Sequence, residues 1–574
     1  MTDAPPDRLS GRDYLLLAAF CLALFLTCPL FGKRLTGHES VLAQNSREML
    51  IDQDWLVPKV GGEVWLERPP MPDWVICAVY AVAGTSANDG VARLAAVLVA
   101  VPLVLIVANF GALLYGRAAG LMAGGIFATM HETYSYASNP EADIFLCLIV
   151  TACLAAFARL EFGARADRAG ESGHFVGPRP WAVLAFFALL GATNMAKGVI
   201  FGTVMAGLPV AGYLLWNRSW GQWKRYVWLW GWLAAAVVAL AWPMAVIARH
   251  PEIVELWKDH YFRRLNKGYL AEPWWYYAAN VPYVLLPWTP AALIGLWQTR
   301  KAAFAGPSAE RFLWCWAIIP PAVFSLADGK HHHYLLHCMA PWAILSVRGA
   351  AAVWHFCRVR FPQGGYPWVA TGLVGGACAA LLFAYRAKIG GPEWLVPAAA
   401  AALVGLAFAL CRSLAHPNPR VAFAGVLVAC AGAYAMWTCY QGAYRDSYRD
   451  DAALMVRASG AVPADAPLFV HYDWVRPLET FWVLYHTPRP GTLIRDPWEL
   501  KEKADGRREA FVLARRMDAP ALAVIGTVEV VLQSEQTRLE AGPEYRRVLY
   551  RVTFHAAPPP GPPEVLAITR RTLW

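Results

Sequence analysis

Four histidines and a lysine crowd the stretch "DGKHHHYLLHCMAPW", residues 328–342, directly ahead of an apolar run. If the segment is helical from His333 onward, His333 and His337 share one face at i, i+4, a spacing that suits a metal. The same residue types equally suit a phosphate site, with Lys330 and Tyr334 as ligands, or a polar collar at a membrane boundary. Asp328 is the only carboxylate close in sequence and none has ligand spacing, so a dedicated metal site is not expected. Other ionisable residues recur at the ends of apolar runs: Glu39, Glu67 and Arg68, Glu141 and Asp143, Lys197, and His260 with Arg263 and Arg264. Such groups are costly near a bilayer and are functional candidates for that reason. Cations of this kind hold phosphate, and a carboxylate among them can serve as general base. The combination points to an anionic, membrane-borne substrate.

The elements that must position these residues are mainly membrane helices. The 574 residues are 57% hydrophobic and only 16% charged, with 27 Trp, a balance that excludes an ordinary soluble protein. Apolar runs predict about thirteen spans, near 13–31, 89–114, 119–138, 142–160, 181–196, 198–216, 226–248, 276–297, 311–327, 334–352, 367–385, 393–411 and 421–439. The run near 74–84 is too short to cross and reads as re-entrant or interfacial. With the N-terminus inside, the inner loops carry Arg117; Arg165, Arg168 and Arg179; Arg218, Lys224 and Arg225; Arg300 and Lys301; Arg358 and Arg360; and Arg412 and Arg420. Segments 32–88 and 249–275 and the tail from about 440 then lie outside, and every candidate above faces that side.

The first run reads as a retained span, since no small-residue cleavage site follows it. The tail, 440–574, is polar. Its β-type runs "APLFVHY" and "YRRVLYRVTFH" and helical runs "PLETFWVLYH" and "DPWELKEKA" predict a small α/β domain outside the membrane, following a transmembrane domain over 1–439. "APPPGPP" (556–562) reads as a turn or polyproline segment. The net charge of +10 fits inner loops facing anionic lipid. No basic cluster stands apart from the spans, so no nucleic-acid partner is expected. The twelve cysteines suggest neither a disulfide framework nor a metal knuckle.

Several motifs carry a resemblance. "HESVLAQNSREMLIDQDWLVPKVGGEVWLERPPMPDW" is similar to the first outer loop of the family 39 glycosyltransferases, a GT-C type that includes protein O-mannosyltransferases and the aminoarabinose transferase that modifies lipid A. "EADIFLCL", "AKG", "DHYFRR" with "EPWWYY" and "LLPW", and "GKHHHYLL" match later family motifs in order, over roughly 13–350. One departure stands out: the family's Asp-Glu pair is His38-Glu39 here.

The resemblance implies an inverting transferase that takes a sugar from a polyprenyl phosphate to an acceptor hydroxyl of a lipid, glycan or protein, at the outer face of the cell membrane. It implies that Glu39 or His38 takes the acceptor proton. Lys197, Arg263 and Lys330 would stabilise the departing phosphate, and Asp143 would position the acceptor or a metal. Arg47, Glu67, Arg68, His260, His333 and Tyr334 complete the implied binding set. No cofactor is required by these motifs, and a divalent metal stays open. The rival reading is a transporter or flippase for polyprenyl-linked sugars, which would need the same cations but no base. Matching inverted halves, common among transporters, are not evident.

Overall fold

The structure is a computed structural model that describes residues 8–163, 180–198, 200–218, 220–255, 257–258, 271–360, 366–384, 386, 391–535 and 542–556. Among the described residues, seven helical stretches are long and apolar enough to cross a membrane. They are Gly11–Phe31, Asp89–Tyr115, Ala142–Gly163, Trp223–Arg249, His332–Arg360, Leu395–Leu414 and Pro419–Tyr444. An eighth is counted if Tyr276–Val284 and Thr289–Ala305 form one span bent by 115°. Pro282, Pro287 and Pro290 flank that bend and supply no N–H to a helical ladder.

The remaining predicted runs are helical but shorter or broken. The run at 119–138 is two helices, Arg117–Ala128 and His131–Tyr136. The runs at 181–196 and 198–216 are Pro180–Ala192, Asn194–Lys197 and Phe201–Asn217. Those at 311–327 and 367–385 are Ala309–Phe324 and Tyr366–Ala384. The short run near 74–84 is the helix Met71–Ala83.

The chain forms two compact units that do not follow chain order. The first comprises residues 1–32, 96–243 and 261–444, and the second 33–95, 244–260 and 445–574. The first is built from close-packed helices. Thr289–Ala305 and Met339–Arg360 cross where Gly295 meets Leu345 and Gly349 meets Ala291; a Cβ at either glycine would strike the facing carbonyl.

In the second unit, strands β1 (Lys59–Val60) and β2 (Glu63–Val64) form a hairpin whose two-residue turn is Gly61-Gly62. Both glycines have positive φ, as a type I′ turn requires. The tail supplies β3 (Leu468–His471), β4 (Gly491–Ile494), β5 (Glu509–Arg515), β6 (Gly526–Gln533) and β7 (Arg547–Phe554) in one sheet, ordered β4-β3-β5-β7-β6. β3 runs parallel to β4 and β5, and β7 antiparallel to β5 and β6. Side chains alternate between two cores: Leu468, Val470, Phe511 and Leu513 on one face, Phe469, Ala510, Val512 and Ala514 on the other. Val41, Val60 and Trp65 enter the first of these cores. Segment 33–95 therefore contributes to the tail's hydrophobic interior through these three residues, where the sequence predicts a separate domain from 440.

Candidate functional site

The candidate residues fall into two groups, one in each unit. In the first unit they converge on Asp143. The helix Ala142–Ala158 starts one residue earlier and presents this carboxylate in its first turn, buried. Lys197 closes the short helix Asn194–Lys197 and sets its Nζ 2.5 Å from Asp143 Oδ1. His337 Nε2 lies 3.6 Å and His333 Nε2 3.9 Å from the same oxygen. The two histidines do converge, but from a 3₁₀ helix, His332–Cys338, and not from an α-helical i, i+4 face. The Tyr334 ring lies 4.8 Å from the Lys197 ammonium. Asp143 Oδ2 and both His337 ring nitrogens are buried without a hydrogen-bond partner. The cluster thus has polar capacity to spare, which a bound polar group would use. Among the described residues, no group of three or more His, Cys, Asp and Glu side chains is placed to hold a metal.

Lys330 is buried, and its Nζ donates to the Glu272 carbonyl at 2.7 Å. That uses one of three ammonium donors. The residues before it pair with 271–272 through an Ala271–Gly329 bridge and a Glu272 N to Asp328 O bond. A further contact escapes the sequence reading: Glu132, buried on His131–Tyr136, faces His332 Nδ1 at 2.9 Å. The available signal was an ionisable residue inside a predicted span.

In the second unit, Glu39 opens the helix Glu39–Asp52. It forms a reciprocal cap with Thr36: Thr36 N donates to Glu39 Oε2 at 2.7 Å, and Glu39 N to Thr36 Oγ1 at 3.3 Å. The exchange across "TGHE" has the reciprocal form of a capping box, although the N-cap position itself is His38. Glu39 Oε1 accepts from Arg93 Nη2 at 2.8 Å, with both side chains buried. Arg93 also donates to the Lys33 carbonyl at 2.7 Å. It too was readable as a charge at the start of an apolar run. His38 precedes the helix as N-cap without a side-chain cap bond. Glu67 and Arg68 face each other at 3.8 Å.

Arg47 is not placed as a free cation. Its guanidinium is buried and donates to the carbonyls of Tyr485, Thr487 and Pro488 at 3.0, 3.0 and 2.8 Å. Burial lowers its pKa. Three main-chain acceptors use its donors, so it works as a tie between backbone segments. Glu48 accepts from Gly61 N at 2.6 Å and Gly62 N at 3.1 Å, and burial raises its pKa. His260 and Arg263 lie outside the described residues.

Residues 34–257 match the model of the dolichyl-phosphate-mannose-protein mannosyltransferase family. The undecaprenyl phosphate-alpha-4-amino-4-deoxy-L-arabinose arabinosyl transferase of Enterobacter sp. (strain 638) is 28% identical over 397 residues, 67% of this chain and 66% of that protein. The enzyme of the same name from Edwardsiella ictaluri is 31% identical over 340 residues, 57% of each. The chain thus spans between 57% and 66% of the length of these relatives. The fold is that of ArnT from Cupriavidus metallidurans, solved bound to undecaprenyl phosphate, with a TM-score of 0.70 at 19% identity over 94% of this chain and 97% of that one. The archaeal oligosaccharyltransferase AglB from Archaeoglobus fulgidus, solved with an inhibitory peptide and a dolichol-phosphate, aligns at a TM-score of 0.51 and 11% identity, over 89% and 70%. In sequence the chain resembles the family 39 glycosyltransferases, and it has a GT-C fold.

Proposed function

We propose that this chain is an inverting glycosyltransferase that moves an aminopentose from undecaprenyl phosphate to an acceptor hydroxyl at the outer face of the inner membrane. The observation that carries the reading is the placement of Glu39, Glu67, Arg68, Asp143 and Lys197 within the segment that matches the mannosyltransferase family. The names of the similar transferases supply the donor, undecaprenyl phosphate-linked 4-amino-4-deoxy-L-arabinose.

In this reading the acceptor oxygen attacks the anomeric carbon and its proton passes to Glu39 or His38. The carbon–oxygen bond to the lipid phosphate breaks, and the phosphate leaves with the electron pair. Each Glu39 oxygen already accepts one hydrogen bond and keeps a further lone pair for this task. Arg68, Lys197, Lys330 and Tyr334, with His260 and Arg263, offset the growing phosphate charge. Asp143, steadied by Lys197, His333 and His337, orients the acceptor, and Glu67 holds Arg68. Arg47, committed to carbonyls, supports the fold around them. Thirteen helical runs would cross the membrane over 1–439. Loops 32–88 and 249–275 and the α/β tail 440–574 would face outward.

Membrane lipids from a deletion strain and its parent, compared by mass spectrometry, test this. An aminopentose-bearing lipid should disappear in the deletion and return with the wild-type gene but not with Glu39→Gln and His38→Ala combined. Purified protein should also release undecaprenyl phosphate from the donor in detergent when lipids extracted from the parent membrane supply the acceptor hydroxyl, a setting where a flippase has no work to do. Glycolipid profiles that match in the two strains, with no such release, would sink the proposal.

A further inference from the structure

The stretch Leu35–Glu39 has almost no local structure of its own until the helix begins, yet its backbone groups are held one by one. Arg93 takes the Lys33 carbonyl, and Asp89 Oδ2 accepts from Leu35 N at 3.3 Å. Trp482 Nε1 donates to the Leu35 carbonyl at 2.9 Å, and Gly37 N donates to the Tyr448 hydroxyl at 3.4 Å. Gly37 is itself pressed against the tail: a Cβ there would lie 2.8 Å from the Leu478 carbonyl oxygen.

One stripe of the helix Leu478–His486 makes or backs several of these contacts. Glu479, Trp482 and His486 recur at i, i+3 and i+7, so they share a face. Glu479 Oε1 accepts from the Tyr448 hydroxyl at 3.1 Å, and its Oε2 accepts from Arg547 at 3.1 Å. His486 Nε2 reaches Asp89 Oδ1 at 3.0 Å, the carboxylate whose other oxygen holds Leu35. Trp482 stacks between Tyr448, at 4.8 Å, and His486, at 4.2 Å. The tail therefore grips the loop at Leu35 and Gly37, immediately ahead of His38 and Glu39.

We infer that the helix Leu478–His486, with Tyr448, is a positioning element for the candidate catalytic pair His38–Glu39, so that the tail is part of the transferase machinery. This rests on the proposed role of that pair as base. A base must sit within hydrogen-bond reach of the acceptor proton, and displacement of a fraction of an ångström is costly when geometry supplies the rate. Tyr448, Glu479, Trp482 and His486 touch no substrate in this scheme; they act through the loop.

The test uses the full chain, purified in detergent, as Tyr448→Phe and Glu479→Gln. Each removes or weakens one link and keeps side-chain shape. Hydrogen exchange of the 35–40 peptide reads the loop directly. Turnover of undecaprenyl phosphate-linked aminoarabinose onto lipids extracted from the parent membrane, followed as released undecaprenyl phosphate, reads its consequence. Exchange in that peptide should rise roughly fivefold to tenfold, as expected for loss of one hydrogen bond. The rate constant kcat should fall by a similar factor, with KM for the donor unchanged. A merely structural role would lower thermal stability and leave kcat of the folded protein alone. Unchanged exchange at 35–40 overturns the inference, and so does raised exchange with unaltered kcat. Glu39→Gln with His38→Ala, run in parallel, separates the causes: full turnover in that protein means the base assignment has failed, not the grip on the loop.

Discussion

Lys197 lies 2.5 Å from Asp143; the carboxylate is buried at the start of an apolar span and the ammonium nearly so. Neither charge is affordable there without the other. Lys197→Ala should destabilise the protein in detergent by about 3–5 kcal/mol, because it leaves Asp143 buried and unpaired. The double change Lys197→Ala with Asp143→Ala should recover most of that loss in a thermal melt. Activity should stay lost in both. Recovery of turnover together with stability would reduce the pair to a structural role.

Much of this cluster was legible because charges near apolar runs are conspicuous. Asp143, Lys197, His333 and His337 all announce themselves in that way. Their convergence on one carboxylate was not legible, since it joins residues 143, 197, 333 and 337 through tertiary packing. The helical runs read well as helices but poorly as lengths: proline and short breaks such as Thr129-Met130 interrupt stretches whose hydropathy is continuous. Arg47 shows the opposite limit. Its neighbours in sequence resemble a substrate-binding motif, while its partners are carbonyls some 440 residues away.

The histidine stretch separates two chemistries. Lys330 ties its segment to the Glu272 carbonyl with one of its three ammonium donors. Lys330→Ala should lower kcat/KM for the lipid donor on the order of ten- to a hundredfold. His333→Ala with His337→Ala should keep measurable activity, because Lys197 still holds Asp143, and any chelator sensitivity of the parent should persist. A dead double variant that also loses a metal carried through purification would favour a metal centre instead.

Orientation is checked by fusion reporters. The basic residues Arg218, Lys224 and Arg225 predict that a reporter near 220 scores as cytoplasmic. One placed after 440 should score as non-cytoplasmic. Both on one side would overturn the proposed placement of the candidate residues at the outer face.

Arg47 makes a different demand from the other cations. Arg47→Ala strands three carbonyls in the interior, and each unsatisfied acceptor costs roughly 1–3 kcal/mol. The expected result is a sharp fall in the melting temperature and faster exchange of the 483–490 peptide. Arg47→Lys should rescue little, since one ammonium cannot fork between three acceptors as a guanidinium does. A stable Arg47→Ala protein with weakened donor binding would restore its place among the substrate ligands.

Asp73 offers a pH signature in the second unit. Its carboxyl is buried on Met71–Ala83, with the Ser46 hydroxyl donating to it at 3.3 Å, and burial pushes its pKa up to about 8 from the ordinary 3.8. The folded value lies above the unfolded one, so between about pH 4 and 8 the folded chain holds a proton that the unfolded chain has released. Its contribution to stability is full below that window and declines as pH rises, by about 1.4 kcal/mol per unit, levelling off above the folded pKa. Asp73→Asn keeps the shape and cannot titrate. The melting temperature of Asp73→Asn relative to the parent should therefore climb from pH 5 to 8 and then stay constant. A difference independent of pH over that range would mean that Asp73 is already ionised in the fold, held by Ser46 and Arg68 more strongly than burial opposes it.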